Sequence, residues 1–475
     1  MKRSIFSFLF TIFSCVSIAQ IQTPDTVNFN PVTELQTVQT PANTIIAALM
    51  GNLTYPYLII YRSINNGALW DSVFYYGSDA QFFGTPDPVI AADSSGNIYV
   101  AVMRTQPPLG GFTAEMWVFK SIDDGQTWFL ASTPYGGNDF ADYPSITSLG
   151  SGLVYHSYTH YTPDTSYITF MRSFDGAVTW QDSTNFATLP PLTSGYDAIG
   201  SDLGWSFNNK LCLSYGDYNH GVIYFSSSRD SGASWSPVQN ISIASTATYI
   251  VTKVVSSKLF SHLGIIAHKP HYLTDVYYLY SLDTGSTWQY QTISTNSAYC
   301  EGEIDNAGIV HLVYNESLTG SSLLRYRYST NQGQTFTAPM TLLTWSAPSL
   351  TQGEYQSLIM GSDGLFHLTY VDWNSNGAAR HLIFAPMLTA IYLTNPSSHA
   401  PRIFPNPAKD YFSIRSDGTN ENAAFEIINL AGERLMNGRV IIPETIVNFA
   451  SFAAGIYLVR ISSGNITYVQ KLVKE

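Results

Sequence analysis

Cysteine is almost missing from this chain: three occur in 475 residues, Cys15, Cys212 and Cys300. Cys15 falls in an apolar N-terminal stretch and the other two lie in separate segments, so a disulfide framework is excluded and two buried thiols are expected. Charge is scarce too, at 12% Asp, Glu, Lys and Arg against 45% hydrophobic residues, which excludes a disordered polyelectrolyte. Basic residues are the scarcest. Gln20–His399 holds 12 Lys and Arg against 27 Asp and Glu, a net of −15, whereas Ala400–Glu475 holds 8 against 7, a net of +1. An acidic body of this kind excludes nucleic acid and anionic membrane as partners. Beyond Ile18 no apolar run is long enough to be a transmembrane segment, and no segment keeps a helical period, which excludes a helical bundle.

What the chain has is aromatic rings (14%), 34 glycines and 23 prolines, the composition of a secreted all-β protein with many turns. Met1-Lys2-Arg3, the apolar run Ile5–Ile18 and the small-residue end Ser17-Ile18-Ala19 form the three regions of a signal peptide. Residues 1–19 are therefore expected to be removed, with the mature chain starting near Gln20.

One pattern returns along the chain. Ser121-Ile122-Asp123-Asp124-Gly125-Gln126-Thr127-Trp128 reads Ser-x-Asp-x-Gly-x-Thr-Trp, and Ser281 to Trp288 is a second full copy. Ser63–Trp70, Ser173–Trp180, Ser228–Trp235 and Ser329–Phe336 are worn copies. The period averages about 53 residues, which points to a propeller or a solenoid. The unit reads as a hairpin turn: Gly takes positive φ, Asp accepts local N–H bonds, and Trp is buried between neighbouring sheets. This pattern resembles the Asp-box, or BNR repeat, of sialidase-like propellers. The resemblance implies an all-β, seven-bladed (alternatively six-bladed) β-propeller over residues 20–393. It also implies that Asp123, Trp128, Asp175, Trp180, Asp230, Trp235, Asp283 and Trp288 are structural and lie away from the functional face. Asp25–Phe29 is expected to supply the outer strand of the last blade.

Thr394–Pro401 breaks the pattern as a linker. After it come Phe404-Pro405-Asn406-Pro407, then Ile427-Ile428-Asn429-Leu430-Ala431-Gly432, then Gly455-Ile456-Tyr457-Leu458-Val459, and the end Lys471-Leu472-Val473-Lys474-Glu475. Read from the residues, 402–475 is a small β-sandwich. In order and spacing it resembles the type A C-terminal sorting domain of the type IX (Por) secretion system. That resemblance implies the type IX machinery as a partner, and a place outside or on the outer surface of a Gram-negative cell.

Functional residues are expected on the face away from the boxes. Asp87, Asp142, Asp197, Glu301 and Glu354 stand at the starts of first strands and suggest a ring that holds calcium or frames a pocket for a polyol or cationic ligand. The fifth blade offers only Thr248-Tyr249 at that phase. Arg104, His160, Asp217, His268, Glu316 and Asp372 stand just beyond second strands, while His311 and His367 read as packing residues. A sialidase resemblance implies three arginines on the substrate, yet only Arg104 and Arg380 suit that face. The expected function is therefore binding of extracellular glycan or a surface protein, through the acids or Tyr-rich loops at Tyr155–Tyr161 and Tyr215–His220. The alternative is a glycoside hydrolase using two of the acids.

Overall fold

The computed structural model describes residues 25–28, 32–51, 56–77, 84–105, 113–137, 139–187, 198–217, 220–241, 251–257, 259–268, 274–345, 356–372, 377–386, 401–415, 423–429, 434–441, 443–463 and 466–474. They fall into two compact units, one within Ile21–Phe384 and one within Ala385–Glu475. Among the described residues there is no α-helix, so the protein is all-β, with one 3-10 turn at Phe207–Asn209. The signal segment and most of the linker lie outside the described residues.

In the first unit one antiparallel meander recurs. Sheet I is Val32–Gln39, Ile45–Gly51, Tyr57–Ser63 and Asp71–Tyr76. Sheet II is Val89–Ala92, Ile98–Thr105, Ala114–Ser121 and Phe129–Tyr135. Sheets III and IV start at Phe140–Gly150 and Ala198–Ser206. A seven-stranded sheet then runs from Val251–Ser256 to Met340–Trp345. In it the 16-residue strand Gln289–Ile304 ends one meander and begins the next. The last sheet is Ser357–Met360, Phe366–Asp372 and Ala378–Phe384, and its fourth strand is Asp25–Asn28, as expected of the N-terminal segment. First strands touch in succession from Val32–Gln39 through to Ser357–Met360, which returns to Val32–Gln39. Thr37 seals that return, its N–H and hydroxyl donating to Ser357 Oγ at 3.1 and 2.9 Å.

The boxes join third strand to fourth, and their residues explain why. Ser121 Oγ accepts from Gly125 N at 2.9 Å and donates to Asp123 Oδ1 at 2.8 Å, while Asp123 accepts from Thr127 N and Oγ1 at 2.9 and 2.6 Å. In the third copy the Thr179 hydroxyl, then the Thr179 N–H, hold the Asp175 carboxyl down at about 2. The fourth residue is left-handed at Asn66, Asp124, Ser231, Thr284 and Gln332. In the third copy glycine has moved to that place as Gly176, leaving Ala177 at φ 69° with its methyl buried.

That fourth residue also receives the preceding sheet. The basic residue just before one box donates to the fourth-residue carbonyl of the next: Arg62 Nε to Asp124 O at 2.8 Å, Lys120 Nζ to Gly176 O at 3.0 Å, Arg172 Nη1 to Ser231 O at 3.2 Å. Box aromatics bridge the same seam. Trp235 meets Phe170 with centroids 4.8 Å apart, Trp288 meets Phe225 at 5.0 Å, and Phe336 meets Tyr278 at 5.3 Å. Trp70 of sheet I meets His381 of the last sheet at 5.5 Å.

Three expectations concern these strands. Cys212 and Cys300 are free, buried thiols, as composition requires. His311 packs, with Nδ1 2.7 Å from the Tyr326 hydroxyl and its ring against Phe366 at 4.6 Å. The Tyr-rich stretches, by contrast, fall in second strands as far as they are described: Tyr155, Tyr158 and Tyr215 are buried core residues of Leu153–Tyr161 and Lys210–Asp217, and Tyr218 lies outside the described residues. These second strands are covered on both faces, which takes the three rings out of reach of a ligand.

The second unit packs a three-stranded sheet, Arg402–Phe404, Tyr411–Arg415 and Glu444–Asn448, with a four-stranded one containing Ala424–Asn429, Arg434–Arg439, Gly455–Ser463 and Ile466–Lys474. Phe412, Ile414, Phe425, Val447, Phe449 and Val459 are buried in its own core. It is the small β-sandwich expected of the tail.

Candidate functional site: an acidic pocket among the first strands

Register defines the site. Each box serine pairs with a second-strand residue: Ile45, Ile98, Val154, Leu211, Leu263 or Val310. Three residues further along that strand, the first-strand partners are Gln36, Val89, Ser145, Asp202, Lys253 and Glu301. Phe366, opposite Phe384 in the last sheet, leads in the same way to Ser357. These residues make one mostly polar level. Ser145 Oγ donates to Asp202 Oδ1 at 3.1 Å, Val254 N donates to Asp202 Oδ2 at 2.7 Å, and Lys253 Nζ lies 3.1 Å from Glu301 Oε2.

Two residues towards the strand starts lies a second level: Glu34, Asp87, Tyr143, Gly200, Val251 and Tyr299. Asp87, Tyr143, Gly200 and Tyr299 have φ of 56°, 49°, 59° and 47°. The register slips beside the last three, between Asp142 and Ser145, Ile199 and Asp202, and Ala298 and Cys300. An extra residue in a strand re-aims the side chains around it, and left-handed non-glycine residues persist only where the surroundings hold them. The two levels line a cavity of about 210 Å³ that also takes in His268 and Gln356.

Burial and crowding set the protonation there. Desolvation and then the neighbouring Glu34 push the Asp87 carboxyl well above the usual range. Desolvation and then Asp87 do the same to Asp142, whose side chain hydrogen-bonds that of Asp87. Asp87 N donates to Glu34 Oε2 at 2.7 Å, and Tyr143 N to Asp142 Oδ1 at 2.8 Å. Burial also raises Asp202 and Glu301, with Lys253 opposing in each case. One level further in, burial pushes Glu303 up to about 8 against the pull of Lys253.

The Glu303 shift has a sign. Its folded value lies above the unfolded 4.5, so its contribution to stability is fully present below 4.5 and is lost as pH rises to about 8. Thermal melts of Glu303→Gln should therefore show a shallower decline between pH 5 and 8 than the parent. Equal slopes would contradict this role.

The sequence-derived candidates scatter. Asp87 and Asp142 meet, and Glu301 lines the same cavity as Asp87, but the three sit at three registers rather than at one phase, because the bulges shift the count. Asp197 and Glu354, like Thr248-Tyr249, lie outside the described residues. Glu34, Asp202, Lys253 and Glu303 were not anticipated. Counting back from the box serines would have found Asp202 and Lys253.

Of the expected face residues only His268 lines the cavity. The others meet third-strand or loop partners, and His160 also meets Tyr135 of the preceding sheet at 3.2 Å. Arg104 lies 3.9 Å over the Trp117 ring and 3.5 Å from Glu115, Glu316 pairs with Arg325 at 2.7 Å, and Asp372 with Arg380 at 3.5 Å. His160 meets Asp139 at 3.3 Å, and Asp217 meets His220 at 3.1 Å. Among the described residues no arginine lines the cavity. Among the described residues no group of three or more His, Cys, Asp or Glu is arranged to hold a metal ion.

Residues 402–475 match the secretion system C-terminal sorting domain. This is the address read from the tail motifs, and it marks the chain as a secreted protein exported by type IX secretion. No helix among the described residues is long and apolar enough to cross a membrane. A search of curated proteins finds no match. Among solved structures, the chain is similar to a polysaccharide lyase of family PL25, an ulvan lyase bound to -[GlcA(1-4)Rha3S]-, at 14% identity, covering 76% of this chain and 95% of that one, with a TM-score of 0.48. An α-L-arabinanase of Penicillium chrysogenum complexed with arabinobiose is 13% identical over 76% and 98%, with a TM-score of 0.46. The NanB sialidase of Streptococcus pneumoniae, in its K499G mutant, is 12% identical over 77% and 70%, with a TM-score of 0.43.

Proposed function

We propose that residues 25–384 form a seven-bladed β-propeller that, once exported, binds a sugar residue of an extracellular glycan in the pocket among its first strands. The blade count treats the seven-stranded sheet as two blades sharing Gln289–Ile304, and the returning cycle of first strands supports it. The observation that carries the binding reading is the pocket itself. Tyr143 and Tyr299, held in left-handed backbone, meet Glu34, Asp87 and Glu301 around one cavity. Aromatic faces beside carboxylates suit a pyranose, whose C–H face stacks on rings and whose hydroxyls donate. At about 210 Å³ the cavity is smaller than the ~300–1,000 Å³ of drug-sized sites, which favours one ring over a long oligosaccharide.

One observation favours a hydrolytic reading as well: Asp87 and Asp142 are hydrogen-bonded to each other, and desolvation and crowding raise both carboxyls well above the usual range, as a general acid requires. A glycan array run beside a hydrolysis screen tests both. Binding without turnover supports the lectin-like reading, turnover replaces it with the enzyme, and neither result leaves the pocket without its proposed role. Calcium held by the same carboxylates would compete with a sugar, so both assays are run with and without chelator.

Export gives a further prediction. An N-terminal signal peptide and the sorting tail would be removed by cleavage near Ala19 and in or near the linker around 395–401. Mass spectrometry of the extracellular or surface form should find neither end, and a surface chain that keeps Lys471–Glu475 would contradict it.

A further inference from the structure

The charged groups of the pocket are mostly acids. Four acids, Glu34, Asp87, Asp202 and Glu301, line it, and among the described residues the one lining Lys or Arg, Lys253, lies 3.1 Å from Glu301. An independent feature of the wall points the same way. Gln356 is 4% exposed and lines the same cavity, in the sheet next to the one that carries Tyr299. Its Nε2 donates to Tyr299 O and to Val313 O, the latter at 3.0 Å, and these two carbonyl contacts fix which way the amide faces. The opposite end of that amide, Oε1, is buried and meets no donor among the described residues. A buried acceptor without a donor costs on the order of 1–3 kcal/mol, so it is a place where a ligand N–H or O–H would be favoured.

A neutral sugar would supply hydroxyl donors but leave the cluster of acids uncompensated. An ammonium supplies three donors and a positive charge at once, and opposite charge favours the ionised form of crowded carboxyls. A carboxylated sugar would meet repulsion from the same wall. Resting on the sugar-binding reading above, we propose that the pocket selects a sugar bearing a free amino group, a 2-amino-hexose at a glycan end, whose ammonium sits among Glu34, Asp87 and the Gln356 amide oxygen.

Titration calorimetry on the full chain at pH 6.5 compares four probes: D-glucosamine, D-glucose, N-acetyl-D-glucosamine and ethanolamine. A charge-assisted contact should make glucosamine bind at least about tenfold more tightly than either neutral sugar. Ethanolamine, which has the ammonium without the ring, should be weaker than glucosamine by a similar factor. Asp87→Asn, checked by its melting curve, should remove most of the preference for glucosamine over glucose. Equal affinity for the three sugars would overturn the amino-sugar assignment while leaving the pocket a sugar site. Ethanolamine binding as tightly as glucosamine would overturn the sugar part of the assignment. Failure of every sugar, with a glycan of another kind also absent from the array, would sink the binding reading itself.

Discussion

Replacing Trp235 with alanine is expected to destabilise the first unit by about 3 kcal/mol, the lower end for removing a large core aromatic. Its ring stands edge-on to Phe170 at 4.8 Å and to Phe186 at 5.1 Å, both in the preceding sheet. The loss is therefore of contact between sheets, and the hairpin's own hydrogen bonds, from Ser228 and Ser234 to Asp230, are left in place. The box lies at the end of the third strand, whereas the pocket lies near the starts of first strands, the opposite end of an antiparallel meander. Chemical denaturation should show the stability loss, and ligand affinity per folded molecule should stay within about twofold of the parent. Unaltered stability with weakened binding would reverse the roles assigned to box and pocket.

Lys253→Met should cost a similar amount, about 3 kcal/mol, for a different reason. Lys253 is the cation of the middle level, and its own proton affinity is raised: burial works against the charge, but Glu301 and then Asp202 outweigh it. Removing one partner of a half-buried pair in a crowded acidic cavity leaves the other uncompensated, which is more costly than exchanging the pair for apolar groups. Without Lys253, Glu301 and Asp202 would hold their protons to higher pH. Acids whose folded values are raised stabilise most below their unfolded values, and that contribution is lost as pH rises. The variant should thus approach the parent in stability near pH 4.5 and fall well below it by pH 8. A constant deficit across that window would show that Lys253 acts by packing rather than by charge.

Which parts of this structure could be read beforehand follows from how local their causes are. The boxes were legible because Ser121, Asp123, Gly125 and Thr127 satisfy one another within a few residues, so the pattern survives in sequence even where one position is worn. The closing strand Asp25–Asn28 was legible because the last sheet lacks a box and needs a partner for Ala378–Phe384. The tail was legible because its turns are written in Pro and Gly. The pocket was only half legible. Acids at strand starts were the right residue type, but bulges beside Tyr143, Gly200 and Tyr299 insert a residue that no composition signal marks. Counting from the turns therefore placed Asp142 and Glu301 at one phase, and passed over Glu34 and Lys253. Arg104, Glu316 and Asp372 misled for a related reason: a charged residue at a strand end can face a partner across its own sheet as readily as a ligand.

The most direct test is a crystal structure of the secreted form with the sugar that the array selects. Its ring is expected in the cavity between Tyr143 and Tyr299, with a donor within hydrogen-bond distance of Asp87 and of Gln356 Oε1. Ligand density on the box hairpins or along an outer strand, with the cavity among the first strands left to solvent, would contradict the assignment of this pocket as the binding site.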